Sequence, residues 1–230
     1  MPLSGPSSRH RSAFTLIELL TVIAVLAILT TISIGAVRGA KERASIAQAR
    51  AELGSLATAL EDFKRLYGDY PQLGGFSQAP ATPSAPTTGP GVSTAQAKLF
   101  NCLTGVLGPT KFANGDRING PNLLPPQFAD SKYINGTLTN QYLVPVSNAP
   151  NPPSKQEQNV CLVDPWGHRY LYYYKNAGRA AQWQAAGYVL YSAGRTLAAN
   201  GTQTPPINPA TGLPLATQSA EMADNIYANP

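Results

Sequence analysis

The sequence predicts an α+β chain: one long N-terminal helix, apolar in its first half and amphipathic in its second, packed on a small antiparallel β-sheet. Three observations predict it. Phe14 to Val37 is a run of 24 residues with one charge, Glu18. From Ile46 to Tyr67, apolar residues recur at helical spacing. Beyond residue 160, the aromatic stretches "HRYLYYYK" and "GYVLYSAG" read as strands.

The elements follow in chain order. Residues 1–13 form a short basic leader with Arg9 and Arg11. The run 14–37 would rise about 36 Å as a helix, enough for a hydrocarbon core of about 30 Å. The basic leader places its start on the cytoplasmic side by the positive-inside rule. Arg38, Lys41 and Arg43 beyond the run weaken that asymmetry. A secretory signal peptide is the alternative, with small residues in "TTISIGAVRGA" as its cleavage site. The run is long for one, and the chain continues as helix without a break.

Over 38–70 the apolar positions are Ile46, Ala49, Leu53, Leu56, Leu60, Phe63 and Tyr67. Steps of three and four alternate, which makes a one-sided stripe. Glu42, Arg50, Glu52, Glu61, Asp62 and Lys64 fall on other faces. The stripe would dock on the chain's own domain or form a two-stranded coiled coil. Gly68 and Pro71 end the helix. From about Phe14 to Tyr67 it would run roughly 80 Å, with Gly35 and Gly39 as places to bend.

Residues 71–230 read as a head domain. Residues 74–96 are rich in Pro, Gly, Ser and Thr and read as a loop. "AKLFNCLTGVLG" reads as a short helix ending at Gly105 or Gly108. "SKYINGTLTNQYLVP" offers strand pieces around an Asn135-Gly136 turn. Asp164-Pro165-Trp166-Gly167 is a turn leading into a strand at His168–Lys175. Tyr188 and Leu190 alternate with Val189 and Tyr191 in a second, antiparallel strand.

Composition narrows the function. Net charge is +5 with 13% charged residues, too dispersed for a nucleic-acid footprint. Cys102 and Cys161 form no CxxC motif. Outside the cytoplasm they would be able to form a disulfide; otherwise they are two small apolar residues. No nucleophile elbow, zinc-protease helix or phosphate-cradling loop occurs, and the two histidines, His10 and His168, gather no companions. His168 reads as an exposed strand residue. Tyr170 and Tyr172–Tyr174 fill a sheet face, the outward ring being free for subunit contacts, or else form an aromatic binding platform. The chain is expected to be no enzyme, with no cofactor and no metal.

"AFTLIELLTVIAVLAILTTI" resembles the class III signal of type IV pilins and type II secretion pseudopilins. The resemblance implies the pilin fold. It implies cleavage by a prepilin peptidase between Ala13 and Phe14 and methylation of Phe14. The family most often has Gly before the cut; Ala13 keeps the small size. It also gives Glu18 a role. A lone carboxylate in lipid is costly and a paired one is tolerated. The family implies that Glu18 pairs with the Phe14 ammonium of a neighbouring subunit and sets register during assembly. Otherwise Glu18 snorkels to the headgroups.

A narrower resemblance lies in the head. "DPWGHRYLYY", carrying Asp164, Pro165, Trp166 and Gly167, is similar to the signature of the major type II secretion pseudopilin. "YVLYSAG" and the closing "ADNIYANP" are similar to segments that follow it there. These matches cover roughly residues 9–73 and 161–194 plus the tail; residues 74–160 carry none. In that family the loop after the S-x-G turn is acidic and holds calcium. Here Ser192-Ala193-Gly194 is followed by Arg195, with no Asp or Glu before Glu221 and Asp224, so no metal site is carried over.

The expectation is a structural pseudopilin. It would sit in the bacterial inner membrane with its N-terminus cytoplasmic and its head periplasmic. Its partners would be prepilin peptidase, other pseudopilins and an inner-membrane assembly platform. The alternatives are a type IV pilin or minor pilin, and a membrane-anchored binding module that never polymerises.

Overall fold

The computed structural model describes residues 16–75, 95–109, 118–129, 133–134, 137–138, 143–145, 160–176, 180–195, 206–216 and 222–228. Ala13 and Phe14 lie outside them, as does most of the Pro/Gly-rich loop. The chain divides into two compact units, residues 1–44 and 45–230.

Helix α1, Leu16–Tyr67, is continuous through Gly35 and Gly39. In the first unit its side chains from Leu16 to Thr31 are all exposed. In the second, the predicted stripe is the buried face. Ala49, Leu53, Leu56, Leu60 and Phe63 are at most 1% exposed, with Ile46 and Tyr67 packed against the same core. The stripe therefore docks on the chain's own domain. After Tyr67 the helix closes on Gly68, which adopts φ 86° and donates its N–H to the Lys64 carbonyl at 2.8 Å. A left-handed residue at this place suits glycine.

One prediction for α1 is corrected. Glu52 is not on a solvent face but 5% exposed. It flanks the stripe, three residues after Ala49 and four before Leu56. Its carboxylate stays buried because Tyr170 Oη donates to it at 2.5 Å and Gln48 Nε2 at 2.7 Å.

The sheet has the order β1-β6-β7-β8, antiparallel throughout. Its strands are β1 Leu73–Gly75, β6 Leu171–Asn176, β7 Val189–Ser192 and β8 Ile226–Tyr227. Two small pairs accompany it. β2 Tyr133–Ile134 pairs with β3 Thr137–Leu138, bracketing the expected Asn135-Gly136 turn, whose own residues lie outside the described ones. β4 Leu143–Pro145 pairs with β5 Val160–Leu162. Helix α2, Ala95–Leu103, contributes Leu99, Phe100 and Leu103 to the core shared by α1 and the sheet, and a short α3 spans Pro126–Ala129. Two loop boundaries move: Gly74 and Gly75 belong to β1, and Ala95 and Gln96 to α2.

The strand expected at His168–Lys175 starts three residues later. The backbone of His168 is taken up by the preceding turn, where its carbonyl accepts from Asp164 N at 2.7 Å. Tyr170, Tyr172, Tyr173 and Tyr174 are all buried, so no outward ring of this run is left for subunit contacts. Tyr172 and Tyr174 join an aromatic cluster with Tyr70, Tyr188 and Trp183, while Tyr173 stacks with Tyr191. The second predicted strand forms at Val189–Ser192, antiparallel to β6, with Tyr188 just ahead of it.

Candidate functional site

Two places gather the residues singled out by the sequence: the start of α1, and the turn at Asp164.

Glu18 lies in the first turn of α1 and is exposed. Around it stand Leu16, Ile17, Leu19, Leu20, Val22 and Ile23, each 52–81% exposed, with Val25, Leu26, Ile28 and Leu29 following at 55–61%. These side chains point to every side of the helix. A helix that is apolar all round belongs in an apolar environment. The threonines are adapted to one. Thr21 Oγ1 donates to Glu18 O at 2.9 Å, Thr30 to Leu26 O at 2.7 Å and Thr31 to Ala27 O at 2.8 Å. Their hydroxyl hydrogens are satisfied within the helix and ask nothing of its surroundings. Among the described residues no helix is long and apolar enough to cross a membrane. The expected span 14–37 extends beyond them, at residues 14 and 15 and at the side chains of 32–36.

The Asp164 turn ties three segments of the head together. Asp164 is 4% exposed. Its Oδ1 accepts the backbone N–H groups of Trp166 at 3.1 Å and His168 at 2.8 Å. Its Oδ2 accepts the Ser192 hydroxyl at 2.5 Å. Ser192 Oγ in turn accepts Gly194 N at 3.0 Å, and His168 Nδ1–H donates to Gly194 O at 2.7 Å. Burial raises the Asp164 carboxyl pKa, against the downward pull of Ser192, the backbone and the His168 charge. Gly194 adopts φ 68°, and a Cβ there would lie 2.4 Å from Asp224 O. Only glycine lets the end of β7 pass this close to the segment before β8.

Pro165, Trp166 and Gly167 thus shape a turn whose work is done by Asp164. His168 is half-buried and hydrogen-bonded rather than an exposed strand residue. Sequence reasoning missed the Asp164–Ser192 bond; the signal available was an Asx turn and an S-x-G turn, 28 residues apart, at the ends of two paired strands.

Cys102 and Cys161 are free thiols, both buried, so the disulfide alternative is not formed here. Burial raises both, Cys161 to about 12 although Arg169 draws it down, and both are neutral at physiological pH. Among the described residues no three His, Cys, Asp or Glu side chains gather as a metal site.

Residues 8–34 match the prokaryotic N-terminal methylation motif. The chain therefore carries the prepilin signal of type IV pilin-like proteins, and the helix-plus-sheet architecture is consistent with a pilin fold. The match spans the predicted cut between Ala13 and Phe14, and Glu18. No curated protein and no solved structure matches the chain.

Proposed function

We propose that this chain is a structural pseudopilin. Prepilin peptidase cleaves it between Ala13 and Phe14 and methylates Phe14, and the product polymerises into a periplasmic filament serving type II secretion. The observation that carries the reading is the methylation motif at residues 8–34, continuous with a helix whose apolar side chains are exposed on every side. Before assembly those side chains face lipid; afterwards they face the same segments of neighbouring subunits. The role is mechanical rather than catalytic, and any ATP hydrolysis is supplied by other proteins of the inner-membrane platform.

The assignment to secretion rests on "DPWGHRYLYY" and the hydrogen-bonded turn it builds. A type IV pilin or minor pilin shares the N-terminal signal, and gene neighbourhood separates the two. A secretion operon carries an outer-membrane secretin and further pseudopilins.

Mass spectrometry of the mature protein tests the processing step. The expected N-terminus is methylated Phe14. A start after Ala36 or Ala40 would show ordinary signal-peptide cleavage and overturn the filament reading.

A further inference from the structure

Arg169 is 1% exposed, and its Nε, Nη1 and Nη2 make no hydrogen bond among the described residues. A buried charge is costly unless it is paired, and a guanidinium does not escape the cost by losing its proton. Strand register shows which way Arg169 faces. Tyr170 and Tyr172 reach Glu52 of α1 and the Pro71 carbonyl, so their side of the sheet is the α1 side. Successive residues alternate faces, which turns Arg169 and Leu171 the other way. Leu171 pairs with Tyr191, and paired residues share a face, so Tyr191 stands on that same far face, one strand over. Its ring stacks on Tyr173. Neither Cys161 nor Tyr191 answers the charge: burial holds the thiol neutral, and burial next to Tyr173 raises Tyr191 further still. The Arg169 guanidinium is left with a surplus of hydrogen-bond donors among the described residues.

We propose that the sheet face turned away from α1 encloses a binding site for a small monovalent anion of chloride size, held by the Arg169 guanidinium. Every guanidinium nitrogen is sealed from solvent. A carboxylate of another chain would reach it only if the covering layer parted. A monatomic ion is taken in as the head folds and needs no fixed donor geometry. Such an ion binds the folded state alone and stabilises it by mass action.

The test is thermal unfolding of the full mature chain in detergent, at constant ionic strength, with chloride replaced stepwise by gluconate. The expected result is a Tm lower by roughly 3 °C or more in gluconate. Arg169→Met should abolish the dependence, and Arg169→Lys, which keeps the charge with fewer donors, should move its chloride midpoint to higher concentration. A wild-type Tm that ignores chloride overturns the proposal. A shift that persists undiminished in Arg169→Met does so too, because it reports a solvent effect. If Arg169→Met does not fold, the wild-type titration and Arg169→Lys decide the question by themselves.

Discussion

At the scale of single residues, the head is held by carboxylates that depend on donors far away in sequence. Asp164 is buried, and its Oδ2 has the Ser192 hydroxyl as donor at 2.5 Å. Ser192→Ala withdraws that donor and leaves a buried carboxylate short of a partner, which costs about 1–3 kcal/mol. The urea midpoint should fall accordingly, and an unchanged midpoint would mean the bond adds nothing. Asp69 behaves differently. Burial pushes its carboxyl up, but Tyr174, the Tyr70 amide, Gln72 and Lys175 all donate to it, and together they bring it below the ordinary aspartate value. A depressed carboxyl stabilises the fold above its unfolded value of 3.8 and loses that contribution as pH falls through the folded one. Asp164, raised instead, costs stability at neutral pH and is relieved by acid. Asp69→Asn should therefore flatten the loss of stability on acidification below about pH 4. Unfolding curves on either side of that pH would show it, and an unaltered acid limb would remove Asp69 from the account.

At the scale of elements, the second half of α1 is where packing is concentrated. Leu56 and Leu60 are 1% and 0% exposed in the shared core. Replacing either with Ala should cost about 2–5 kcal/mol, since the cavity adds to the lost burial. Leu66→Ala, at a position 51% exposed on the same helix, should change stability by no more than about 0.5 kcal/mol. Equal effects at the buried and exposed sites would contradict the packing described. This face was legible in the sequence because a 3-4 spacing over seven positions states it directly. So were the β6–β7 pair, from its aromatic residues, and the β2–β3 pair, from Asn135-Gly136. The short strands were not. β1 contains Gly74 and Gly75 and β4 ends on Pro145, residues that read locally as loop and join strands only because a partner is present. Glu52 and Tyr170 were illegible for another reason: their bond joins positions 118 residues apart, and neither neighbourhood hints at the other. The candidate site divides the same way. The predicted cut at Ala13–Phe14 and Glu18 belong to a contiguous motif, whereas the Asp164–Ser192–Gly194 knot exists only once the sheet has brought its strands together.

At the scale of the whole molecule, the buried face of the head and the exposed apolar start of α1 make different demands. No Asp or Glu stands between Ser192 and Ala220 to supply the oxygens a calcium ion needs, so calcium is expected not to stabilise the head. A Tm that rises with micromolar calcium and falls with chelator would contradict this and direct attention to Glu221 and Asp224. The start of α1 makes a sharper demand. Among the described residues around Glu18 every large side chain is apolar and exposed, and a carboxylate in such a setting costs at least a few kcal/mol in lipid unless it is paired. If assembly brings it to the Phe14 ammonium of a neighbour, two costly charges become one tolerated pair. Glu18→Leu or Glu18→Gln should then leave membrane insertion unimpaired or slightly easier, because a charge has been removed from the apolar run. Processing at Phe14 should also be normal. Filaments should become scarce, since the neighbour's ammonium would enter an apolar interface alone. Immunoblots of membrane fractions, mass spectrometry of the N-terminus and electron microscopy of a Glu18→Leu strain separate these steps. Abundant filaments of wild-type register in that strain would show that Glu18 only snorkels to the headgroups and that register is set by the apolar side chains around it.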